Sequence, residues 1–312
     1  MRLLSVQDAL LFRFQLIIPA ILCKFVSGPD YEDMAYILIF LYLGLSLAIQ
    51  LMAGDFPVSL FSFPVNILLL ILWAGVVIGL WKARPKSGFV RFMLSPGATY
   101  LAIGLFLAFC LTVGITGFRW LTGTWPFVAF LLYFQTVLAY VILRGWRRPT
   151  ATGARLGAVR WRFLMLHVGL LLAIGSAFWG APETETKMVK LFKGTEVSEA
   201  ITEDGRISWL KYSLVLDDFN VSFGSDGMPS DYRAQLSVGD EKVTLRVNHP
   251  YPIRFGEDMY LSGYDTYAEE YCILQIVREP WRYGALAGIV LMLSGAFLLF
   301  IGGPDRRNRQ VE

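Results

Sequence analysis

Apolar residues in this chain come in long, nearly unbroken blocks, at 34–53, 63–81, 97–117, 125–143, 160–180 and 281–302. Each block is long enough to cross a hydrocarbon core of about 30 Å as a helix. The pattern predicts six membrane spans. A further block, 7–25, is interrupted by Arg13, Gln15 and Pro19 and closed by Lys24. It reads as an interfacial amphipathic helix, with a seventh span as the alternative. It lacks a small-residue cleavage pattern after a clean apolar core, so it is not read as a signal peptide.

Between the last two spans the pattern changes. Apolar and polar residues alternate in Lys187–Phe192, Trp209–Leu216, Tyr232–Val238, Lys242–Val247 and Tyr271–Val277. A period of two marks half-buried strands, and Gly239-Asp240 between two of them marks a hairpin turn. The predicted fold class is a polytopic α-helical membrane protein with an external all-β domain, an antiparallel sandwich or open barrel, inserted before the last helix. The expected divisions are 1–150 for the N-terminal membrane helices, 151–180 for a spanning helix, 181–280 for the β domain and 281–312 for the last span and tail. Within 1–150, Gly44, Gly75, Gly79, Gly104 and Gly114 are expected at close helix–helix contacts. That region offers no evident chemistry and reads as anchor and packing surface.

Charge orients these elements. Thirteen lysines and arginines fall in the 82–96 loop, the 144–162 loop and the C-terminal tail, against only Arg119 in the loops 54–62 and 118–124. The positive-inside rule then places the arginine-rich loops and the C-terminus in the cytoplasm and 181–280 outside. The net charge of +3 conceals a split, because 181–280 holds 18 acidic and 10 basic residues, leaving +11 for the rest. The basic excess is topological and gives no support to nucleic-acid binding. Of the three cysteines only Cys272 lies in the β domain, which excludes an internal disulfide there.

One ionisable residue, His167, lies inside a span. An intramembrane histidine costs free energy unless it has a partner, and a neutral imidazole is a standard axial ligand for haem iron. The packing alternative is a hydrogen bond to another helix's carbonyl. Five residues past Arg162, about 7–8 Å along a helix, His167 sits in the cytoplasmic leaflet. Gly169, Ala173, Ser176 and Gly180 form a small-residue stripe on roughly the opposite side. Arg160 and Arg162 are candidates for carboxylate contacts, or else a positive-inside anchor beside Trp161. His249, in Asn-His-Pro-Tyr, reads as part of a turn, and the topology keeps it from meeting His167. Asp217-Asp218 and Glu269-Glu270 read as solvated, since adjacent residues on a strand point to opposite faces.

An ordered series of short motifs follows His167: Lys193-Gly-Thr-Glu196, Leu210–Phe219, Gly227–Tyr232, Asn248-His-Pro250, Gly263-Tyr-Asp265, and Glu279-Pro280 leading into the last helix. Over about 160–303 the chain resembles the ResB-like (CcsB) family of system II cytochrome c biogenesis proteins. The resemblance implies a haem-handling subunit in the bacterial cytoplasmic (inner) membrane, with 181–280 periplasmic. It would help a CcsA-type partner present haem to apocytochrome c. It implies b-type haem, held transiently and shared with that partner, with His167 as an axial ligand and Arg160 and Arg162 as propionate contacts. The partner carries a tryptophan-rich haem site. Trp73, Trp81, Trp120, Trp125 and Trp146 form no such compact run, so the attaching half is expected in a separate chain and this one as a non-catalytic subunit. Two other classes stay open: a structural assembly subunit without haem, and a membrane b-type electron-transfer subunit, which a single histidine per haem disfavours.

Overall fold

A computed structural model describes residues 31–83, 88–117, 119–146, 154–223, 225, 229–264 and 270–302. The 7–25 block lies outside the described residues. Among them are six helices long and apolar enough to cross a membrane, as a multi-pass membrane protein requires. They are α1 (Tyr31–Ala53), α2 (Val65–Ala83), α4 (Pro96–Thr116), α5 (Trp125–Trp146), α6 (Ala154–Gly180) and α7 (Arg282–Gly302). A short α3 (Gly88–Met93) sits in the segment read as a plain basic loop. Alternation hides it, because Val90, Phe92 and Met93 are all buried and Phe92 meets Tyr36 edge-on at 4.8 Å. The fifth span also runs further than its apolar block, its helix beginning at Ala154 rather than near 160.

Caps are written locally. Ser95 accepts a hydrogen bond from the Ala98 amide, Pro96 opens the first turn of α4, and Gly117 at φ 65° ends it by bonding to the Val113 carbonyl.

The chain divides into two compact units, 1–57 with 71–167, and 58–70 with 168–312. The first is built round α5, whose apolar window is 44 % buried against 11 % for α1 and α4. Tyr42 on α1 donates to the Ala129 carbonyl (3.2 Å), the Trp125 amide donates to Gln50 Oε1 (2.9 Å), and Tyr133 donates to the Ala98 carbonyl (3.0 Å). Between α4 and α5 the phenylalanines interleave, with Phe109–Phe130 at 4.9 Å and Phe106–Phe134 at 5.3 Å. In lipid such shape-driven contact substitutes for the missing hydrophobic drive.

Gly44, Gly75, Gly79, Gly104 and Gly114 do not mark these contacts: a Cβ on any of them would meet nothing within 4 Å. Even Gly75 and Gly79, one turn apart on α2, face open space, so small residues on a uniformly apolar helix do not by themselves mark a contact. Close approach occurs instead at Gly97, against Tyr36, and at Gly145, against Phe163.

In the second unit the end of α6 packs on α7. A Cβ on Gly169 would lie 2.5 Å from the Met292 amide nitrogen, and one on Gly288 would lie 2.4 Å from that of Ala173. The predicted stripe is therefore a backbone-to-backbone contact. Asn66, 1 % exposed, donates to the Trp179 carbonyl (3.0 Å) and to Glu183 Oε1 (2.6 Å), and Trp281 Nε1 donates to the same carboxylate (3.2 Å). These bonds satisfy the polar groups where α6 ends.

The β domain is one eight-stranded antiparallel sheet of order β5-β4-β3-β2-β1-β8-β7-β6. Its strands are β1 (Glu185–Phe192), β2 (Glu196–Thr202), β3 (Ile207–Phe223), β4 (Pro229–Val238), β5 (Glu241–Arg246), β6 (Tyr251–Arg254), β7 (Glu257–Tyr264) and β8 (Tyr271–Arg278). β1 and β8 pair along their whole length, from Glu185↔Arg278 to Phe192↔Tyr271. Inward residues of seven strands, among them Leu191, Leu214, Phe219, Leu236, Leu245, Met259 and Leu274, meet in one core, so the sheet curls round it. Gly239, at φ 58°, makes the predicted β4–β5 hairpin. The alternation did not announce β2, β6 or β7.

Candidate functional site

His167 belongs to α6, a helix of 27 residues whose run of Leu, Ala, Met and Gly carries no proline. Its ring stacks on Phe163, one turn earlier, with centroids 4.0 Å apart and planes at 29°. Nδ1 lies 2.8 Å from the Phe163 carbonyl oxygen. A carbonyl can only accept, so the contact places a proton on Nδ1, and in the neutral ring Nε2 is then the nitrogen with the lone pair. Nε2 has no hydrogen-bond partner among the described residues, and the ring is half-buried. A neutral imidazole held by a backbone carbonyl at one nitrogen and open at the other is the arrangement of a metal-ligating histidine. The donor chemistry therefore fits one axial position of haem iron. The expected carbonyl partner is present but belongs to the same helix, which leaves the outward nitrogen uncommitted.

What fixes Phe163 is a residue without a side chain. A Cβ on Gly145 would fall 2.1 Å from Phe163 Cε1, so the ring occupies the space that glycine vacates on α5. Past that ring lies a recess of about 180 Å³ lined by Leu94, Ser95, Pro96, Thr99, Val141, Arg144, Gly145 and Phe163. Ligand pockets usually enclose roughly 300–1,000 Å³, so this one holds an edge of a large ligand and not a macrocycle. Arg144 brings the recess a guanidinium, whose Nη1 donates to the Leu94 carbonyl at 2.9 Å. In the sequence alone Arg144 is legible only as one of the basic residues that orient the chain. Its signal, a basic residue one position before the glycine that seats Phe163, exists only once α5 and α6 are paired.

Arg162, half-buried, lies five residues before His167, which at 3.6 residues per turn is about 140° round the helix. It does not share the imidazole's face. Arg160 lies in α6 seven residues before His167, and its side chain is outside those described. Trp161 is exposed.

The remaining candidates sit in the β domain. His249 is exposed in a turn whose Asn248 takes φ 61°, and its amide bonds back to the Arg246 carbonyl at 3.1 Å. Asp217 accepts from Ser237 Oγ at 2.7 Å, while Asp218 pairs with Lys193 and Asn220. The Lys193 ammonium, then the Asn220 amide, hold the Asp218 carboxyl below its usual range. The two carboxylates therefore serve separate surface bonds. Glu269 is outside the described residues, and Glu270 lends its carbonyl to the Lys193 amide. Among the described residues no three His, Cys, Asp or Glu side chains gather as a metal site. Cys272 is fully buried in the core, where burial pushes its thiol up to about 12. It is inert packing.

Residues 144–270 match the ResB-like family. Two cytochrome c biogenesis proteins CcsB, from Prochlorococcus marinus strains MIT 9301 and AS9601, are 33 % and 31 % identical over 123 residues. The matched segment is 37 % of this chain, and the chain spans about a quarter of each relative's length, 26 %. A solved cytochrome c haem lyase, CcmF, superposes over 88 % of this chain and 46 % of its own at 14 % identity with a TM-score of 0.39, too loose a likeness to establish a shared fold.

Proposed function

With residues 144–270 ResB-like, we propose that this membrane protein acts in cytochrome c biogenesis as the haem-handling subunit of a system II synthase, in the bacterial inner membrane. In this reading His167 Nε2 supplies one axial ligand to a haem near the cytoplasmic mouth, and a CcsA-type partner supplies the other. The observation that carries it is the contact of Nδ1 with the Phe163 carbonyl, which in a neutral ring occupies the Nδ1–H and leaves Nε2 as the ligating nitrogen. The recess beside Phe163 is too small for a porphyrin, so the macrocycle would lie against the outer side of α6, at a subunit boundary. Bound there, haem supplies the iron–porphyrin that apocytochrome c receives.

Arg160 and Arg162 are the propionate partners of this reading, and Arg144, whose guanidinium lines the recess beside Phe163, joins them. The β domain is read as a docking element for the partner or the apocytochrome, outside the membrane. Its outer face carries Met188, Ile201 and Ile207 in cross-strand register, with Trp209 beside them, all exposed.

Replacing His167 by alanine is expected to lower haem content of the co-purified complex and cytochrome c maturation several-fold while the protein still inserts. Added imidazole should restore part of both by filling the vacant coordination position. Full haem content with an unchanged absorption spectrum would overturn the assignment and favour an assembly subunit, with His167 a packing residue.

A further inference from the structure

The β6–β7 turn, Arg254–Glu257, carries an aromatic side chain with no role in the core. Phe255 is 73 % exposed, and its ring stacks on Tyr283 at 4.9 Å with planes at 29°. Tyr283 is the second residue of α7, so the turn reaches the level at which that helix enters its apolar run. The placement is built rather than incidental. Gly256 takes φ 72° and rests on Pro280, where a Cβ would lie 2.5 Å from the proline Cα. Its carbonyl accepts the Glu279 amide at 2.6 Å. On either side, Arg254 Nε donates to Glu257 at 2.7 Å, and Arg282 forms a two-pronged pair with Asp258. Glu257 and Asp258 are both nearly buried, so these pairs hold the turn against the helix with little freedom.

The same face continues downward. Tyr283, Leu286, Val290, Leu293 and Phe297 recur at helical spacing, and all are exposed. Phe255 is the upper end of a continuous apolar stripe, and the lower part of that stripe belongs to a membrane-spanning helix. A phenylalanine and a tyrosine at the head of a span, with an arginine whose guanidinium lies 4.9 Å from the tyrosine ring, are the residues that settle at a membrane–water boundary.

We propose that the Arg254–Glu257 turn is an interfacial anchor, with Phe255 inserted among the phospholipids of the membrane that α7 crosses. The β domain is then attached to the bilayer at a third point besides its two helices. This inference depends on α7 spanning the membrane and is independent of haem binding.

Photocrosslinking in the full-length chain tests it. p-Benzoylphenylalanine is placed at Phe255, at Phe223 at the far end of β3, or at Phe297 well down α7. Each variant is reconstituted in phosphatidylethanolamine–phosphatidylglycerol vesicles containing tritiated phosphatidylethanolamine. All three positions are exposed, so the substitutions leave the core intact. On illumination Phe255 should capture labelled lipid at a level approaching that at Phe297, and Phe223 should capture only background. Capture at 255 no greater than at 223, with 297 still reactive, would overturn the proposal. So would a protein adduct at 255 in native membranes without a lipid adduct, which would assign the surface to a partner chain.

Discussion

Gly145 is a glycine because Phe163 fills the place of its side chain. Any larger residue there pushes the ring that lies against His167. Gly145→Ala is expected to cost about 1–3 kcal/mol by overpacking, read as a lower melting temperature in detergent. Adding Phe163→Leu should recover much of that loss, a coupling that two independent sites would not show. If the double variant is no more stable than the single, the two residues do not act as a pair. Asp231 makes a different kind of residue-scale prediction. Hydrogen bonds from Arg246 and then Arg233 lower its carboxyl from an ordinary 3.8 to about 2. A depressed carboxyl stabilises the fold above its unfolded value, and that contribution disappears as pH falls through the folded one. The Asp231 pairing should therefore persist to about pH 4 and be lost toward pH 2. A carboxyl titration by NMR with a midpoint near 4 would contradict it. Both bonds are solvent-exposed, so the effect on global stability is small.

Among elements, the α6–α7 contact is the one that tolerates least. The atoms facing Gly169 and Gly288 are backbone, which cannot rotate aside. Gly288→Leu should separate the helices and cost several times more stability than Gly79→Leu, where a side chain meets open space. Equal melting temperatures for the two variants would refute the contact. This stripe was legible in advance because its small residues recur one turn apart at 169, 173, 176 and 180. The glycines of α1, α2 and α4 do not meet a neighbouring helix, although Gly75 and Gly79 also recur one turn apart, so spacing alone does not separate a contact stripe from an open one. Strand β2 escaped notice because a bulge between Val197 and Glu199 breaks its alternation. Strand β7 escaped because Glu257, Asp258 and Met259 are buried in succession. Arg254, Arg282 and Tyr212 partner the two carboxylates, so polar residues stand where apolar ones were sought. His167 was conspicuous as the one histidine in a span, whereas its supports Phe163 and Gly145 are ordinary letters until two helices meet.

At the scale of the whole molecule, thirteen basic residues on one side predict that the β domain lies outside the cytoplasm. A cysteine in place of Asp240, at the exposed β4–β5 turn, should react with a membrane-impermeant maleimide added to intact spheroplasts. Labelling only from the cytoplasmic face of inverted vesicles would reverse the orientation. The full-length pairing of β1 with β8 has one more consequence, which concerns time. β1 follows directly on α6, yet its second neighbour is the last strand of the domain. Ribosomes add about 5–20 residues per second, so the roughly 80 intervening residues take on the order of ten seconds to appear. Throughout that interval β1 exposes one unpaired edge, the kind of edge that recruits foreign strands. A nascent chain stalled before Tyr271 should therefore be prone to aggregation or chaperone-bound, and one stalled after Arg278 should be protease-resistant. The sheet closes only when β8 arrives, immediately before α7 is made, so completion of the domain and insertion of the last helix are successive steps of one event.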